Sequence, residues 1–454
     1  MKLSRLYIAT FLLSAVAFMP CRAQSTAAEP EQTEETDESE EPEEDDERSI
    51  RENPVIDGED YDDEIIIPEF IKLKRNHIDF NGANWNALRN ALGNSNRMPV
   101  SIVAIGDSHY QADFATGVVR DNLQLDYGNA GRGLVVPLRL SGTNEPHDYS
   151  FTSTHNWNSV KLMSQSWPRT MGFTGASITP VNMNSTFMVS TSERDDYNPF
   201  SSITVFHNGQ FFVTGVTDED GNALSFVATP SKDYTEIRLT KDVNAARIHF
   251  DSAGDLTIFG ANLSGQRPGL FFHTIGNNGA TYDTYNRIAT TGRGISALQP
   301  KLIIISLGTN EAFGHFNKQS LKNSIDRLVK DIRSQNPDAT LLLVTPMECQ
   351  RSRVITHRSS SKGRRRRRTV RTSRVYEVNS NVAKVREAIA EYGKDNHIAV
   401  YDWYNVAGGS GASAKWINAG LFSRDRVHHS MRGYTLQGEL LYQALREAFR
   451  PQSK

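Results

Sequence analysis

Pro99-Val-Ser-Ile-Val-Ala-Ile-Gly-Asp-Ser-His109 is a near-continuous apolar run that ends in a short polar turn. Such a run predicts a strand buried on both faces, as in a parallel sheet. Residues 112–125 follow with apolar side chains at helical spacing, which predicts a helix. Ser108 is therefore expected between a strand and a helix, where many α/β enzymes place a nucleophile.

The same pattern returns in the last third of the chain. Residues 301–306, 339–344 and 398–401 are short apolar runs that predict buried strands. Apolar stripes at helical spacing lie between and after them, in residues 321–332, 378–392 and 440–449. Strands that alternate with helices predict an α/β domain with a parallel sheet covered by helices on both faces.

Residues 138–263 have a different character, because short runs of alternating polar and apolar residues replace the long apolar ones. The Asn208-Gly209 pair separates two of these runs and predicts a hairpin. We therefore predict an antiparallel β-sandwich at 138–263, inserted between two parts of the α/β domain at 51–137 and 264–454.

The first residues have the features of an export signal. Two basic residues precede an apolar run from Leu6 to Phe18, and small residues follow near Ala23. This predicts a signal peptide at 1–23 and a periplasmic or extracellular protein with no membrane span after cleavage. Cys21 leaves a lipoprotein anchor as the alternative, which the preceding Phe-Met-Pro disfavours because a small residue usually stands next to a lipidated cysteine.

Charge is distributed unevenly along the chain. Residues 29–47 contain 13 acidic residues and no large apolar one, so we predict a disordered acidic linker at 24–50. With residues 1–47 left out, 47 Lys and Arg residues stand against 40 Asp and Glu residues. A basic body of this kind suits an anionic polymer. No recognisable nucleic-acid module accompanies it, so no nucleic-acid partner is expected.

Three short polar segments are predicted to meet at one edge of the sheet. Gly106–His109 and Gly308-Thr309-Asn310-Glu311 directly follow buried strands, and Asp425-Arg-Val-His428 precedes the last helix. A serine becomes nucleophilic when a base lies within hydrogen-bond reach and a third group orients that base. Because one turn can place the Asp425 carboxylate on Nδ1 of His428, Nε2 is left to face Ser108. The sequence thus predicts Ser108, His428 and Asp425 as a catalytic triad.

Ester cleavage through a serine also needs donors for the oxyanion of the tetrahedral intermediate. The candidates are the backbone N–H groups of Ser108 and Gly279 and the side-chain amide of Asn310. No metal-ligand spacing and no phosphate-binding glycine loop stands out in the sequence. We therefore expect no metal and no cofactor.

These segments resemble the SGNH or GDSL-type hydrolases, whose four sequence blocks are named for Ser, Gly, Asn and His. The matching segments are Gly106-Asp-Ser108, Gly276-Asn-Asn-Gly279-Ala280, Gly308–Glu311 and Asp425–His428. His109 replaces the more common Leu, and about 170 residues separate Ser108 from Gly279. Both departures are similar to the peptidoglycan O-acetylesterase branch, in which a carbohydrate-module-like sandwich is inserted after the first block. The resemblance implies an SGNH-type parallel sheet interrupted by that sandwich.

The resemblance also implies a function. It predicts a secreted serine esterase that removes O-acetyl groups from a cell-envelope or extracellular polysaccharide through an acyl-enzyme on Ser108, with peptidoglycan as the favoured polymer. One alternative is an O-acetyltransferase that passes the acetyl group to a sugar hydroxyl. Another is a catalytically inert glycan-binding envelope protein, which the complete set of Ser108, Asn310, Asp425 and His428 disfavours.

Three further features carry weaker signals. An arginine run follows the strand that ends near Val344, and it predicts either a solvated loop or a clamp for an anionic glycan, through Arg364, Arg365 and Arg366. Trp157 lies in the sandwich and could stack on a sugar ring or fill the core. Gly142-Thr-Asn-Glu145 repeats the third block but follows no apolar strand, so we assign it to the loop that enters the sandwich.

Overall fold

The structure is a computed structural model that describes residues 66–191, 198–360 and 368–451. The predicted signal peptide, the predicted acidic linker and the residues Arg364, Arg365 and Arg366 lie outside the described residues. The predictions for these segments therefore stay predictions.

The described residues contain strands and helices in the following order. The strands are β1 (Ile78–Asp79), β2 (Val100–Gly106), β3 (Gly133–Val135), β4 (Tyr149–Thr152), β5 (Trp157–Lys161), β6 (Ala176–Pro180), β7 (Asn184–Thr191), β8 (Phe200–Asn208), β9 (Phe211–Thr217), β10 (Phe226–Pro230), β11 (Tyr234–Val243), β12 (Ala245–Ser252), β13 (Thr257–Ser264), β14 (Leu270–Gly276), β15 (Pro300–Ser306), β16 (Thr340–Val344), β17 (Gln350–Ser360), β18 (Arg368–Val378) and β19 (Ala399–Tyr401). The α-helices are α1 (Asn86–Leu92), α2 (Ser108–Gln111), α3 (Phe114–Tyr127), α4 (Tyr282–Tyr285), α5 (Thr291–Ser296), α6 (Lys318–Gln335), α7 (Asn381–Asp395), α8 (Trp403–Val406), α9 (Ala412–Asn418) and α10 (Met431–Phe449). Short 3-10 turns lie at Leu73–Arg75 and Asn310–Ala312.

A mostly parallel sheet forms the centre of the α/β domain, with the strand order β1-β19-β16-β15-β2-β14 in the described residues. Neighbours from β19 to β14 pair in parallel, and β1 pairs antiparallel with β19 at the edge. The chain thus brings β2, β14 and β15 side by side, with their carboxyl ends at the same edge. Each of these three strands leads into one of the polar segments that the sequence singled out.

Both faces of this sheet are covered, which explains the continuous apolar character of its strands. Ile102 and Ala104 of β2 pack in one core cluster with residues of α1, α3 and α10. Val103 and Ile105 point to the opposite face and pack in a second cluster with residues of α6 and α7. The predicted fold class, a parallel sheet with helices on both faces and an antiparallel insertion, is confirmed.

The inserted region consists of two antiparallel sheets around a core of its own. In the described residues, one sheet has the order β10-β11-β8-β13-β6-β5 with β3 paired to β13, and the other has the order β4-β7-β12-β9. The core between them includes Phe151, Phe187 and Phe250. The sheets begin with β3 at Gly133, a few residues before the predicted boundary at 138.

The hairpin predicted at Asn208-Gly209 is wrong. β8 pairs with β11 and β13, whereas β9 pairs with β12, so the chain crosses from one sheet to the other at this turn. Gly209 has φ +90°, and a Cβ there would lie 2.6 Å from the Asp255 carbonyl oxygen. The glycine is needed for this tight crossing, which uses the same residue types as a hairpin turn.

The loop predicted for the arginine run lies mostly outside the described residues, and the segments on either side of it form an antiparallel hairpin of β17 and β18 that the sequence did not predict. The two strands pair in register from Gln350 with Val378 to Ser360 with Arg368. Apolar residues on these strands, such as Val354 and Val375, are exposed. The hairpin was missed because its apolar residues face solvent and give no core pattern.

A buried network of four charges connects the α/β domain to the sandwich. Nη2 of Arg132 lies 2.7 Å from Oδ2 of Asp113, and Nε of Arg132 lies 2.9 Å from Oδ2 of Asp148. Arg120 forms ion pairs with the same two carboxylates. Asp113 also accepts a hydrogen bond from Thr274 on β14 at 2.9 Å, whereas Asp148 directly precedes β4 of the sandwich. The network therefore links the start of the sandwich to the central sheet.

Among the described residues, none of the helices combines the length and the apolar character that a membrane span requires.

Candidate active site

Ser108 is the first residue of the short helix α2, directly after β2. The turn is tight, because a Cβ on Gly106 would lie 2.6 Å from Cγ of Tyr110. Asp107 caps the helix by accepting the His109 backbone N–H at 3.0 Å. As the first residue of the helix, Ser108 has a backbone N–H that no helical carbonyl accepts, so this donor is available to a ligand.

The structure brings Ser108, His428 and Asp425 together. Nε2 of His428 lies 2.7 Å from Oγ of Ser108, and Nδ1 of His428 lies 2.5 Å from Oδ2 of Asp425. Both are hydrogen-bond distances, and the arrangement is the one that a serine nucleophile, its base and an orienting carboxylate would need. The side chains of His428 and Asp425 are largely buried, with exposed fractions of 15% and 13%.

A single turn holds the carboxylate of Asp425. Its Oδ1 accepts the backbone N–H groups of Val427 at 2.9 Å and His428 at 3.0 Å, which leaves Oδ2 for the imidazole. Burial raises the pKa of Asp425, but the hydrogen bond and charge of His428 outweigh it and hold the net pKa below the ordinary value. Asp425 is therefore ionised at neutral pH and can stabilise an imidazolium.

The β17–β18 hairpin contacts the same turn through Arg426. Arg426 has φ +61°, a left-handed conformation that is uncommon for a side chain of this size. Its guanidinium stacks 4.0 Å from the ring centroid of Tyr376 and donates to Oε1 of Gln350 at 2.9 Å. These contacts hold the Arg426 side chain against the hairpin, in the turn that also carries His428.

Two other histidines lie beside His428. The ring of His109 is 5.2 Å from that of His428 and 5.1 Å from that of His429. Burial lowers the pKa of His109 well below its ordinary value and lowers the pKa of His429 to about 3. Both are neutral at physiological pH, and Nε2 of His429 points to Sδ of Met347 at 3.0 Å. His428 is the histidine of this group that bonds both the serine and a carboxylate.

The oxyanion candidates lie on the neighbouring strand ends. Gly279, with φ +74°, belongs to the turn after β14, which Ala280 closes by donating its N–H to the Asn277 carbonyl at 3.1 Å. The Asn310 side chain follows β15 and donates to the carbonyl of Ala280 at 3.0 Å. Nδ2 of Asn310 also lies 3.5 Å from Oδ2 of Asp107, so the Asn310 amide contacts both the turn of Gly279 and the residue before Ser108.

A loop from the sandwich reaches the same turn. Met163 follows β5, and a Cβ built on Gly279 would lie 3.5 Å from Cε of Met163. The guanidinium of Arg287 donates to the carbonyl oxygens of Leu162 at 3.3 Å and Ser164 at 2.9 Å, which fixes the loop. Because the Met163 side chain is 40% exposed, the sandwich contributes an accessible apolar group next to a candidate oxyanion donor.

The remaining candidate residues are placed differently. Trp157 packs against the sandwich core, with its ring 6.0 Å from that of Phe250, so its contacts are with the core and its sugar-stacking role stays a prediction. In the described residues, no group of three or more His, Cys, Asp or Glu residues has a metal-binding arrangement. Sequence reasoning missed Gln111, whose side chain accepts the Asn278 backbone N–H next to Gly279 at 2.7 Å.

Replacing Asn310 with Ala tests the oxyanion assignment. We expect the turnover number for an aryl acetate to fall by roughly 10²–10³-fold, because one fixed donor to the oxyanion is removed. The midpoint of thermal unfolding should change little, since Asn310 is partly exposed and its one short hydrogen bond goes to a backbone carbonyl. Steady-state kinetics and circular dichroism measure the two quantities, and an unchanged turnover number would exclude Asn310 as a donor.

Comparison with known proteins agrees with this geometry. Residues 251–436 match the GDSL-like lipase/acylhydrolase family. A solved structure of a peptidoglycan O-acetylesterase is similar over 82% of this chain and 99% of its own, with a TM-score of 0.64 and 20% identity. That likeness shows a shared fold. No curated protein has significant sequence similarity to the chain.

Two further solved structures are similar over parts of the chain. A lipase/acylhydrolase from Enterococcus faecalis covers 41% of this chain and 80% of its own, with 17% identity and a TM-score of 0.28. The alignment with a family two carbohydrate esterase from Clostridium thermocellum covers 65% of this chain and 98% of the esterase chain, with 12% identity and a TM-score of 0.28. The match over residues 251–436 and the shared fold thus identify in this chain an SGNH-type hydrolase domain that is similar to the GDSL-like lipase/acylhydrolase family.

Proposed function

We propose that this protein is an exported serine esterase that removes O-acetyl groups from a polysaccharide of the cell envelope or the extracellular space, with peptidoglycan as the favoured polymer. The observation that carries the catalytic part is the pair of hydrogen bonds from His428 to Ser108 and Asp425, at 2.7 Å and 2.5 Å. Export rests on the predicted signal peptide at 1–23.

The proposed reaction runs in two steps. Oγ of Ser108 attacks the acetyl carbonyl while Nε2 of His428 takes its proton, and the oxyanion forms at the N–H groups of Ser108 and Gly279 and the Asn310 amide. The intermediate collapses as His428 returns the proton to the departing sugar oxygen, which leaves an acetyl group on Ser108. Water, deprotonated by His428, then attacks this acyl-enzyme and releases acetate and the free serine.

Asp425 keeps His428 in the orientation that both steps need. With its carboxylate on Nδ1, the imidazole presents Nε2 to the serine as an acceptor, and the negative charge stabilises the imidazolium that forms. The lowered pKa of Asp425 means that this charge is present throughout the neutral range. His109 and His429 are neutral neighbours, so they add no opposing charge to the imidazolium.

A polymeric substrate is supported by the contact between the sandwich and the turn of Gly279. The Met163 loop of the sandwich borders Gly279, so a chain bound along the sandwich would pass the candidate oxyanion hole. One solved structure that shares the fold is that of a peptidoglycan O-acetylesterase. The excess of basic residues outside the first 47 positions also suits an acidic glycan.

The proposal is tested by measuring acetate release from a panel of O-acetylated polymers. We expect release from O-acetylated peptidoglycan to be faster than from O-acetylated xylan, and none from peptidoglycan that was de-acetylated with mild base. Faster release from xylan would overturn the choice of peptidoglycan. Transfer of acetyl groups to an added glycan, with no free acetate, would show a transferase instead.

A further inference from the structure

A buried amide connects the Ser108 helix to the loop of Gly279. Gln111 is the last residue of α2, and its side chain is almost entirely excluded from solvent. Its Oε1 accepts the backbone N–H of Asn278 at 2.7 Å. Its Nε2 donates to Oγ1 of Thr143 at 2.8 Å and to Oδ1 of Asn144 at 2.5 Å. With both ends bonded, this amide has one orientation.

Asn278 is held from its side chain as well. Its Nδ2 donates to Oδ1 of Asn144 at 3.0 Å and to Oγ1 of Thr143 at 3.3 Å. The residue directly before Gly279 is therefore fixed at its backbone N–H and at its side chain. The peptide N–H that Gly279 would offer to an oxyanion follows from Asn278, so its direction depends on these bonds.

The nucleophile and the oxyanion loop also approach each other closely at this point. A Cβ on Gly276 would lie 2.2 Å from the backbone nitrogen of Gln111, so the end of β14 lies directly against α2. Gln111 thus belongs to the same helix as Ser108 and bonds the loop that carries Gly279. An oxyanion hole works only when donor and nucleophile keep a fixed relative position, within about 0.5 Å.

Thr143 and Asn144 belong to Gly142-Thr-Asn-Glu145, the sequence that repeats the third block and was assigned to the loop entering the sandwich. The structure places this loop against the oxyanion turn, where its polar side chains meet Gln111 and Asn278. We propose that Gln111, fixed by Thr143 and Asn144, is a positioning residue that sets the Gly279 N–H relative to Ser108. This inference rests on the proposed esterase mechanism and adds the entry loop of the sandwich to it.

The first experiment replaces Gln111 with Met, which keeps the approximate volume and removes all hydrogen bonds of the side-chain amide. For an aryl acetate we expect kcat to fall by roughly tenfold to a hundredfold with KM within about twofold, because the lost bonds act on the transition state. Binding of a boronic acid, which forms a tetrahedral adduct on a serine, should weaken in parallel. An unchanged kcat, or a rise in KM alone, would overturn the proposal.

A matched pair of variants keeps the test decisive if the Gln111→Met protein does not fold. Thr143→Val removes the acceptor with little change in shape, and Thr143→Ser retains it. We expect a lower kcat in Thr143→Val and recovery in Thr143→Ser, whereas equal kcat values would contradict the role of the loop. Ser108→Ala measured on the same ester separates the two claims. Wild-type activity in the Ser108→Ala variant would refute the esterase mechanism. If Ser108→Ala is inactive but Gln111→Met has the wild-type kcat, only the positioning role is refuted.

Discussion

Ser108→Ala is expected to lower kcat for an aryl acetate by about 10⁵–10⁶-fold, with a much smaller change in KM. Without Oγ there is no atom for His428 to activate, and the acetyl-enzyme cannot form. Binding of the substrate depends on other groups, so KM is less affected. Initial rates at saturating and subsaturating ester concentrations measure the two constants.

A matched serine variant gives the baseline for this measurement. Ser334 is an exposed residue of α6 whose hydroxyl donates to the Asp331 carbonyl at 2.8 Å. Ser334→Ala should hydrolyse the ester at the wild-type rate, because this helix contributes nothing to the triad. If Ser108→Ala kept more than about one hundredth of the activity, a residual rate too high for a lost nucleophile, the triad would be misassigned.

Arg132→Met is expected to destabilise the protein by about 3–5 kcal/mol, because it leaves a buried carboxylate pair with one arginine in place of two. The Arg132 side chain is 1% exposed and bonds Asp113 and Asp148, which are equally buried. The change in the urea midpoint, followed by tryptophan fluorescence and circular dichroism, measures the loss of stability.

The control is Arg293→Met, which removes an ion pair with Asp233 in which both side chains are more than half exposed. That variant should change stability by less than about 1 kcal/mol, and equal shifts in the two variants would contradict the role of the buried network.

The same network predicts how stability depends on pH. Burial raises the pKa of Asp148, but the charges of Arg132 and Arg120 outweigh burial and hold the net pKa well below the ordinary value. A carboxyl group with a lowered folded-state pKa stabilises the fold above its unfolded pKa of about 4, and this contribution is lost as the pH falls below that value. Wild-type stability should therefore begin to fall below about pH 5 and keep falling below pH 3 as the pH approaches the lowered folded-state pKa. Arg132→Met should show a shallower decline over the same range.

Much of the central fold follows from local sequence patterns. Apolar runs such as 99–105 and 301–306 predict strands close to the observed β2 and β15, because a strand buried on both faces needs such runs. The helix predicted at 112–125 corresponds to α3, and a division separates it from the short helix α2, which the sequence did not predict. The division lies at Asp113, which has φ +61° and whose carboxylate bonds the buried arginines. That interaction depends on residues distant in sequence, so no local pattern indicates it.

The triad residues could be proposed from sequence because their chemistry needs particular residue types after particular strands. The structure places the His428 imidazole within hydrogen-bond distance of both the Ser108 hydroxyl and the Asp425 carboxylate. The roles of Thr143 and Asn144 could not be predicted, because they depend on how the entry loop folds back onto Gln111. The hairpin prediction at Asn208-Gly209 was wrong for a related reason. A turn sequence does not reveal which strands the segments before and after it will pair with.

The most direct test of the central claim is to label the full-length protein with a small organophosphonate and map the adduct by mass spectrometry. We predict one adduct, on the peptide that contains Ser108, because this hydroxyl has a base at 2.7 Å and candidate oxyanion donors beside it. Labelling should disappear in Ser108→Ala. An adduct on another residue, or undiminished labelling of Ser108→Ala, would contradict the assignment of Ser108 as the nucleophile.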